Sequence, residues 1–184
     1  MQLRFAPPHL QALDRERGGT LVVCAFDEER PLKGLAGRVD WRLCGRLSAL
    51  IFAGNLEASF GSTLLCPVDG RLPFERLLFV GLGSTSEYTT ERYSEACYII
   101  AWKLARMRET DFAVTLPGHL GRGLGLREAV GAWRQGIIRS FDSENLRQLN
   151  ICLLADPEAA RELRPPMMAV AQEVNDALRK ESDQ

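Results

Sequence analysis

A glycine-rich loop is the most distinctive local feature of the sequence. Residues 117–125 read Pro-Gly-His-Leu-Gly-Arg-Gly-Leu-Gly and fall between a predicted strand and a predicted helix. Such a loop can present backbone N–H groups to a phosphate at the start of a helix, and an arginine adds positive charge. The candidate phosphate-binding residues are Gly118, Gly121, Arg122, Gly123 and Gly125. The spacing does not match the GxxxxGK(S/T) pattern of a P-loop, and no acidic ribose partner is identifiable, so a flexible connector is the alternative.

A second glycine pair ends another predicted strand. Gly81 and Gly83 flank a leucine and precede Ser-Thr-Ser. Ligands of open α/β sheets bind beyond the carboxyl ends of the strands, so this turn is a second candidate ligand site. A tight strand-to-helix turn also uses glycine, which leaves a purely structural role as the alternative.

The residue types of common catalytic sites are present but not assembled. Asp27, Glu28 and Glu29 follow a strand, yet no fourth metal ligand accompanies them, and acidic clusters before a proline-bounded loop are usually solvated. His9 and His119 are the only histidines, and no serine lies in a GxSxG motif. The odd cysteine count, without a CxxC pair, predicts reduced, buried thiols at Cys24, Cys44, Cys66, Cys97 and Cys152. We predict no catalytic residue, no metal and no cofactor.

Length and charge limit the classes of function. A chain of 184 residues with 46% hydrophobic and 26% charged residues is typical of one soluble globular domain. Twenty-three Lys and Arg against 24 Asp and Glu give a net charge of −1, which makes a nucleic-acid or anionic-membrane partner unfavourable. The sequence contains neither a long apolar span nor a signal-peptide core, so we expect a cytoplasmic protein.

Short apolar runs alternate with helical patterns along the chain. The six predicted strands cover residues 2–5, 20–26, 63–67, 77–82, 112–116 and 149–154. Helices are predicted from Asp40 to Gly54, from Thr89 or Thr90 to Glu109, from 126 to 141, from 157 to 163, and after Pro165-Pro166. This alternation predicts an α/β fold, a three-layer α/β/α sandwich with a mostly parallel sheet, in residues 1–164. Residues 165–184 then form a C-terminal helical extension.

Two sets of apolar residues within the predicted helices bear on packing. The last helix carries one apolar stripe that must fold back or meet a partner, which makes it a candidate interface: Met167, Val170, Ala171, Val174 and Leu178. Aromatic residues at helical positions are more often core than cofactor platform, so we predict buried rings for Trp41, Trp102 and Trp133.

Several segments in succession resemble the amino-terminal domain of the leucyl aminopeptidases, the M17 family of metallopeptidases. They are the strand 20–26 with Arg-Pro-Leu-Lys-Gly-Leu-Ala-Gly at 30–37, Arg-Leu-Leu-Phe-Val-Gly-Leu-Gly at 76–83, Gly-Ala-Trp-Arg-Gln-Gly at 131–136 with Phe141-Asp142, and the helix 169–179. The resemblance covers nearly the whole chain in the family's order. It implies a macro-domain-like sandwich, with the last helix resembling the one that leads into the catalytic domain.

The resemblance also implies what the chain does. In the family, the two-metal site and the Asn-Thr-Asp-Ala-Glu-Gly-Arg signature belong to the second domain, and no stretch here matches them. The first domain lies at the outside of a hexamer and helps with assembly and access, and some bacterial members also bind DNA. We therefore expect a non-catalytic assembly, regulatory or protein-interaction module that forms a homo-oligomer or binds an M17 aminopeptidase-like protein.

Two alternatives remain open at this point. Macro-like domains hold ADP-ribose or related nucleotides, although the asparagine and the acidic adenine contact of such binders cannot be placed in this sequence. The chain could instead be a peptidase-associated subunit that needs a catalytic partner chain.

Overall fold

Six strands form one sheet in the computed structural model, which describes residues 1–118 and 124–182, and the four inner strands are mostly buried. The strands are β1 Gln2–Ala6, β2 Gly18–Ala25, β3 Thr63–Pro67, β4 Phe74–Gly81, β5 Asp111–Val114 and β6 Asn150–Leu154. Their order is β1-β6-β5-β2-β4-β3, and every pairing is parallel except that of β3 with β4. All six predicted strands are present, with β1 at an edge, so the predicted sheet is confirmed.

Helices cover both faces of this sheet. They are α1 Leu10–Leu13, α2 Gly34–Arg42, α3 Arg46–Phe52, α4 Thr90–Arg106, α5 Leu126–Ser140, α6 Ser143–Gln148 and α7 Pro157–Ser182. Successive side chains of a strand point to opposite faces. Val22 accordingly packs with α4 and α5, whereas Leu21 and Val23 pack with α2 and α3. The three-layer α/β/α architecture is confirmed. Within the described residues, no helix is both long enough and apolar enough to cross a membrane.

The helix predicted from Asp40 to Gly54 is two helices. Cys44 and Gly45 have φ angles of 57° and 77°, which end α2 and turn the chain into α3. Asp40 lies inside α2 rather than before a helix, and its Oδ1 accepts hydrogen bonds from the backbone N–H groups of Leu47 and Ser48 at 2.8 and 3.1 Å. Asp40 therefore does cap a helix, but from the preceding one. This replaces the side-chain cap that Gly45 cannot supply.

The predicted break at Pro165-Pro166 is wrong, because α7 runs continuously from Pro157 to Ser182 with both prolines inside. A proline in a helix interior removes a backbone hydrogen bond and usually kinks or ends the helix. Here the apolar stripe continues across the prolines, from Leu163 to Met167. The side chains of Leu163 and Met167 are buried in the same core. Tertiary burial thus outweighs the local signal.

Candidate functional site

A cleft lies at the carboxyl ends of β2, β5 and β6. The chain leaves β2 toward β3 and β4 on one side of the sheet, and leaves β5 toward β6 on the other side. The crevice between two such strands is the usual ligand site of an open α/β sheet. A cleft of about 390 Å³ occupies this position, and its walls come from the ends of both strands and from the first turns of α2 and α7.

Four charged residues line this cleft. Lys33 immediately precedes α2 and Arg38 lies within it, Glu29 belongs to the preceding loop, and Asp156 immediately precedes α7. Arg38 donates a hydrogen bond to the carbonyl oxygen of Pro8. In the described part of the chain, Lys33 has neither an ion pair nor a side-chain cap bond. Lys33, beside the start of α2, therefore creates a positive potential that favours a small anion. The carboxylates of Glu29 and Asp156 would repel an anion of higher charge.

The cysteine in the cleft is not a nucleophile. Cys24 lies at the end of β2 and lines the cleft. Burial, with the Glu29 carboxylate as the second cause, raises the pKa of the Cys24 thiol to about 12. Because only the thiolate attacks, a thiol that is protonated at neutral pH contributes shape rather than reactivity.

An aromatic pair supports the wall beside β5. The rings of Phe26 and Tyr88 meet edge to face with centroids 4.9 Å apart, and the Tyr88 hydroxyl donates to the Pro117 carbonyl oxygen at 3.2 Å. Burial raises the pKa of Tyr88 well above its ordinary value, so this donor stays protonated. Sequence reasoning did not find this pair. The sequence signal for this pair is weak, because Phe26 merely ends an apolar run and Tyr88 lies in a turn.

The predicted ligand loops are only partly brought together. Gly118 lines the cleft and has a φ of 80°, and a β-carbon at this position would lie 2.7 Å from Tyr88 Cε1. Gly125 donates its N–H to Glu128 Oε2 at 3.1 Å, so this amide is occupied by the cap of α5. Gly121, Arg122 and Gly123 lie outside the described residues, as does His119.

Gly81 and Gly83 are oriented toward a neighbouring segment rather than toward the cleft. A β-carbon on Gly81 would clash with the Ser59 carbonyl, and one on Gly83 would lie 2.9 Å from the Phe60 β-carbon. The φ of 70° at Gly83 also favours glycine. These glycines allow close packing on residues 58–60, which is the structural alternative to ligand binding.

The acidic cluster after β2 closes a loop. Glu28 accepts hydrogen bonds from Ser84 Oγ at 2.6 Å and from the Thr85 N–H at 3.1 Å. The Ser84 bond is the largest of several effects that lower the pKa of the exposed Glu28. Across residues 1–118 and 124–182, the structure shows no group of three or more His, Cys, Asp or Glu placed to hold a metal.

The apolar stripe of α7 folds back onto the chain itself. Met167, Ala171, Val174 and Leu178 are buried and Val170 is half-buried, against α5, α6 and β1. The interface that we predicted on this stripe is therefore not an exposed surface, and a free interaction surface has to be sought elsewhere.

Four aromatic side chains in the described part of the chain are exposed: Trp41, Phe52, Tyr98 and Trp102. The prediction of a buried ring is correct for Trp133, but Trp41 is 73% exposed and Trp102 is 41% exposed. Phe52, at the end of α3, is 96% exposed. The prediction of five buried thiols needs a similar correction, because Cys44 in the turn between α2 and α3 is exposed and Cys24 is half-buried, whereas Cys66, Cys97 and Cys152 are buried.

Sequence comparison identifies relatives along most of the chain. The model of the cytosol aminopeptidase family, N-terminal domain, matches residues 22–140. A probable cytosol aminopeptidase of Geobacter sp. (strain M21) is 30% identical over 163 residues, which cover 84% of this chain and 32% of that protein. The one from Thermosynechococcus vestitus is 28% identical over 168 residues, 90% of this chain and 31% of that protein. The chain thus spans about a third of the length of these curated relatives.

Solved structures with the same fold fall into two groups. A tomato leucine aminopeptidase mutant superposes with a TM-score of 0.59 at 20% identity, over 93% of this chain and 36% of that chain. A Trypanosoma brucei macrodomain in complex with ADP-ribose gives 0.64 at 15% identity, over 88% and 67%. The macrodomain of Thermus aquaticus DarG gives 0.59 at 15% identity, over 84% and 99%. These similarities show a macrodomain-like fold.

Proposed function

The chain belongs to the cytosol aminopeptidase family through that family's N-terminal domain, and we propose that it acts by protein contact, as a non-catalytic assembly or regulatory module. Its partner is a second copy of the chain or an M17 aminopeptidase. The names of the relatives place those proteins in the cytosol, and the proposal extends that location to this chain.

The observation that carries the proposal is the exposure of two large aromatic side chains on the α2–α3 layer. Phe52 is 96% exposed and Trp41 is 73% exposed. A buried aromatic side chain removes roughly 150–250 Å² from water, so leaving both in solvent forgoes a large favourable free energy. Single exposed apolar residues are common on protein surfaces, but Phe52 is flanked on its helix by exposed Ala49 and Ala53. A partner that covers this face would recover the lost burial.

The α2–α3 pair is held as one unit, which suits it to docking. The Asp40 carboxylate on α2 accepts hydrogen bonds from the first turn of α3. An ion pair of 2.9 Å between Arg42 on α2 and Asp14 at the end of α1 holds α2 in place from its other side. A preorganised surface binds with a smaller loss of conformational entropy than a mobile one.

Sedimentation velocity of the purified chain, alone and with an equimolar M17 aminopeptidase from the same cells, tests the proposal. We expect the wild-type chain to sediment as an oligomer or as a complex with the enzyme. Trp41→Ser and Phe52→Ser should each weaken that association by about tenfold or more, because exposed aromatic anchors dominate interface energies.

Met168→Ser is the matched control, since Met168 is 46% exposed on α7, away from the α2–α3 layer. The control should sediment like the wild type. The proposal would be contradicted if the wild-type chain were monomeric and did not bind the aminopeptidase. It would also be contradicted if the wild-type chain associated and neither Trp41→Ser nor Phe52→Ser weakened the association.

A second candidate function is binding of a small anionic nucleotide such as ADP-ribose in the cleft between β2 and β5. Two observations favour it: the cleft of about 390 Å³ with Lys33 at its rim, and the similarity to a macrodomain whose structure contains ADP-ribose. Glu29 and Asp156 at the same rim count against a doubly charged pyrophosphate.

Titration calorimetry with ADP-ribose tests this alternative. If the cleft binds the nucleotide, Lys33→Glu should weaken binding by about tenfold, because it reverses a charge at the rim. Lys180→Glu makes the same change of net charge near the end of α7 and should have no effect. The absence of heat at high micromolar ADP-ribose would remove this candidate while leaving the assembly proposal intact.

A further inference from the structure

A second surface with a distinctive composition lies on the opposite face of the sheet, on α4 and α5. It consists of two exposed aromatic residues and three cations, which we call the α4–α5 patch: Tyr98, Trp102, Lys103, Arg106 and Arg139. Tyr98 is 36% exposed and Trp102 is 41% exposed. The proposed function uses none of these residues.

Close packing of the two helices brings the patch together. Gly136 of α5 lies against α4, where a β-carbon would be 3.0 Å from the Cys97 backbone. This approach places the Arg139 guanidinium over the Tyr98 ring, 5.1 Å from its centroid. On α4 itself, the Lys103 ammonium and the Arg106 guanidinium lie 5.5 and 5.8 Å from the centroid of the Trp102 ring. Each aromatic ring is thus already in contact with a cation.

The three cations lack an acidic partner within the described part of the chain, unlike their neighbours on the same helices. Arg92 on α4 pairs with Glu95 at 3.8 Å, and Arg134 on α5 pairs with Glu173 at 3.4 Å. No carboxylate of the described residues comes within 4.0 Å of Lys103, Arg106 or Arg139. The patch therefore concentrates uncompensated positive charge on a chain whose net charge is −1.

We propose that the α4–α5 patch is a docking site for an acidic segment of a partner protein. Carboxylates of the segment pair with Arg106 and Arg139, whose planar guanidinium groups suit bidentate contact. An apolar side chain of the segment packs against the exposed part of Trp102. Trp, Tyr and Arg are the residue types that dominate the energetic centre of protein interfaces, and charge complementarity selects a negatively charged partner.

Single-stranded nucleic acid fits the patch less well. Sequence-tolerant binding of nucleic acid uses aromatic faces on which bases stack. In this patch the cations occupy positions over the rings, so a base would have to displace them. The site has three cations on a chain without net positive charge, which gives little of the long-range attraction that nucleic-acid binding uses.

Fluorescence anisotropy with a short fluorescein-labelled peptide of glutamate, leucine and glycine tests the proposal. The wild-type chain should bind this peptide, with affinity falling as salt is added. The same peptide with glutamine at every glutamate should bind about tenfold more weakly or worse. This comparison uses only the wild-type chain, so it does not depend on any variant folding.

Arg106→Glu/Arg139→Glu should weaken binding of the acidic peptide by about tenfold or more, and Trp102→Ala should weaken it too. Arg92→Glu/Arg134→Glu changes the net charge of the same two helices equally but removes cations that already have partners. It should bind like the wild type. Equal losses in both double variants would overturn the proposal, because binding would then follow net charge alone.

Two further results would also overturn it. One is equal affinity for the glutamate and glutamine peptides. The other is binding of a labelled thymidine oligonucleotide instead of the acidic peptide, where Arg106→Glu/Arg139→Glu abolishes the binding of the oligonucleotide. Neither result bears on the α2–α3 layer, so the assembly proposal is tested separately.

Discussion

Asp40 links α2 to α3 through its carboxylate. It is 7% exposed, and its Oδ1 accepts two backbone N–H bonds at the start of α3 while Oδ2 accepts the Ser48 hydroxyl. The sequence indicated a capping role for Asp40 because aspartate commonly caps helices. It could not indicate that the capped helix is the next one, because this depends on the left-handed turn at Cys44 and Gly45.

We expect Asp40→Ala to lower the free energy of unfolding by about 1–3 kcal/mol, since it leaves buried N–H groups without acceptors. Urea unfolding followed by tryptophan fluorescence measures this change. Asp40→Asn keeps one oxygen acceptor and should lose less.

Asp14→Ala is the control for this prediction. It removes an exposed ion pair between Asp14, at the end of α1, and Arg42 on α2. Such an exposed pair contributes at most about 1 kcal/mol to stability. If Asp40→Ala costs no more than Asp14→Ala, Asp40 does not join the two helices in the way described.

At the level of elements, the strands were the most predictable part of the fold. The four inner strands are short apolar runs that are mostly buried, and a strand buried on both faces needs no distant information to be recognised. The limits shift by up to three residues, as at β4, which begins at Phe74 rather than Leu77. Short helices such as α1 and α6 escaped prediction because four to six residues do not display a helical period.

The last helix shows why helix limits are harder to predict. Two adjacent prolines are a strong local stop signal, yet α7 continues through them. Contacts distant in sequence hold it in place: the Asn175 Oδ1 accepts from the Met1 amino group at 2.6 Å, and its Nδ2 donates to the Met1 carbonyl at 3.0 Å. Together with the buried apolar stripe of α7, these hydrogen bonds hold the helix against the domain, although the sequence predicted residues 165–184 to be a separate extension.

At the level of the whole molecule, the order of strands determines where a site can lie. The alternation of strands and helices predicted a mostly parallel sheet, and this predicted the carboxyl edge as the place for ligands. It did not predict which loops meet there. The Phe26–Tyr88–Pro117 contacts join three separate segments, so Gly118 reaches the cleft whereas Gly81 and Gly83 face residues 58–60.

The exposure of the tryptophan side chains was a second property that the sequence could not predict. Trp41, Trp102 and Trp133 all occupy helical positions, and only the packing of the layers distinguishes the buried ring from the two exposed ones. We propose that the exposed rings belong to one interaction surface on each helical layer, an apolar one on α2–α3 and a basic one on α4–α5.

The most direct test of the central claim is quantitative co-purification from the native cells. The tagged wild-type chain and tagged Trp41→Ser/Phe52→Ser are captured in parallel, with a second, differently tagged copy of the chain expressed beside each. Mass spectrometry then compares the recovery of the second copy and of a full-length M17 aminopeptidase. We predict near-stoichiometric recovery of one of the two with the wild type, and its loss with the double variant. Recovery of neither, or recovery that the double variant leaves unchanged, would contradict an assembly role for the α2–α3 layer.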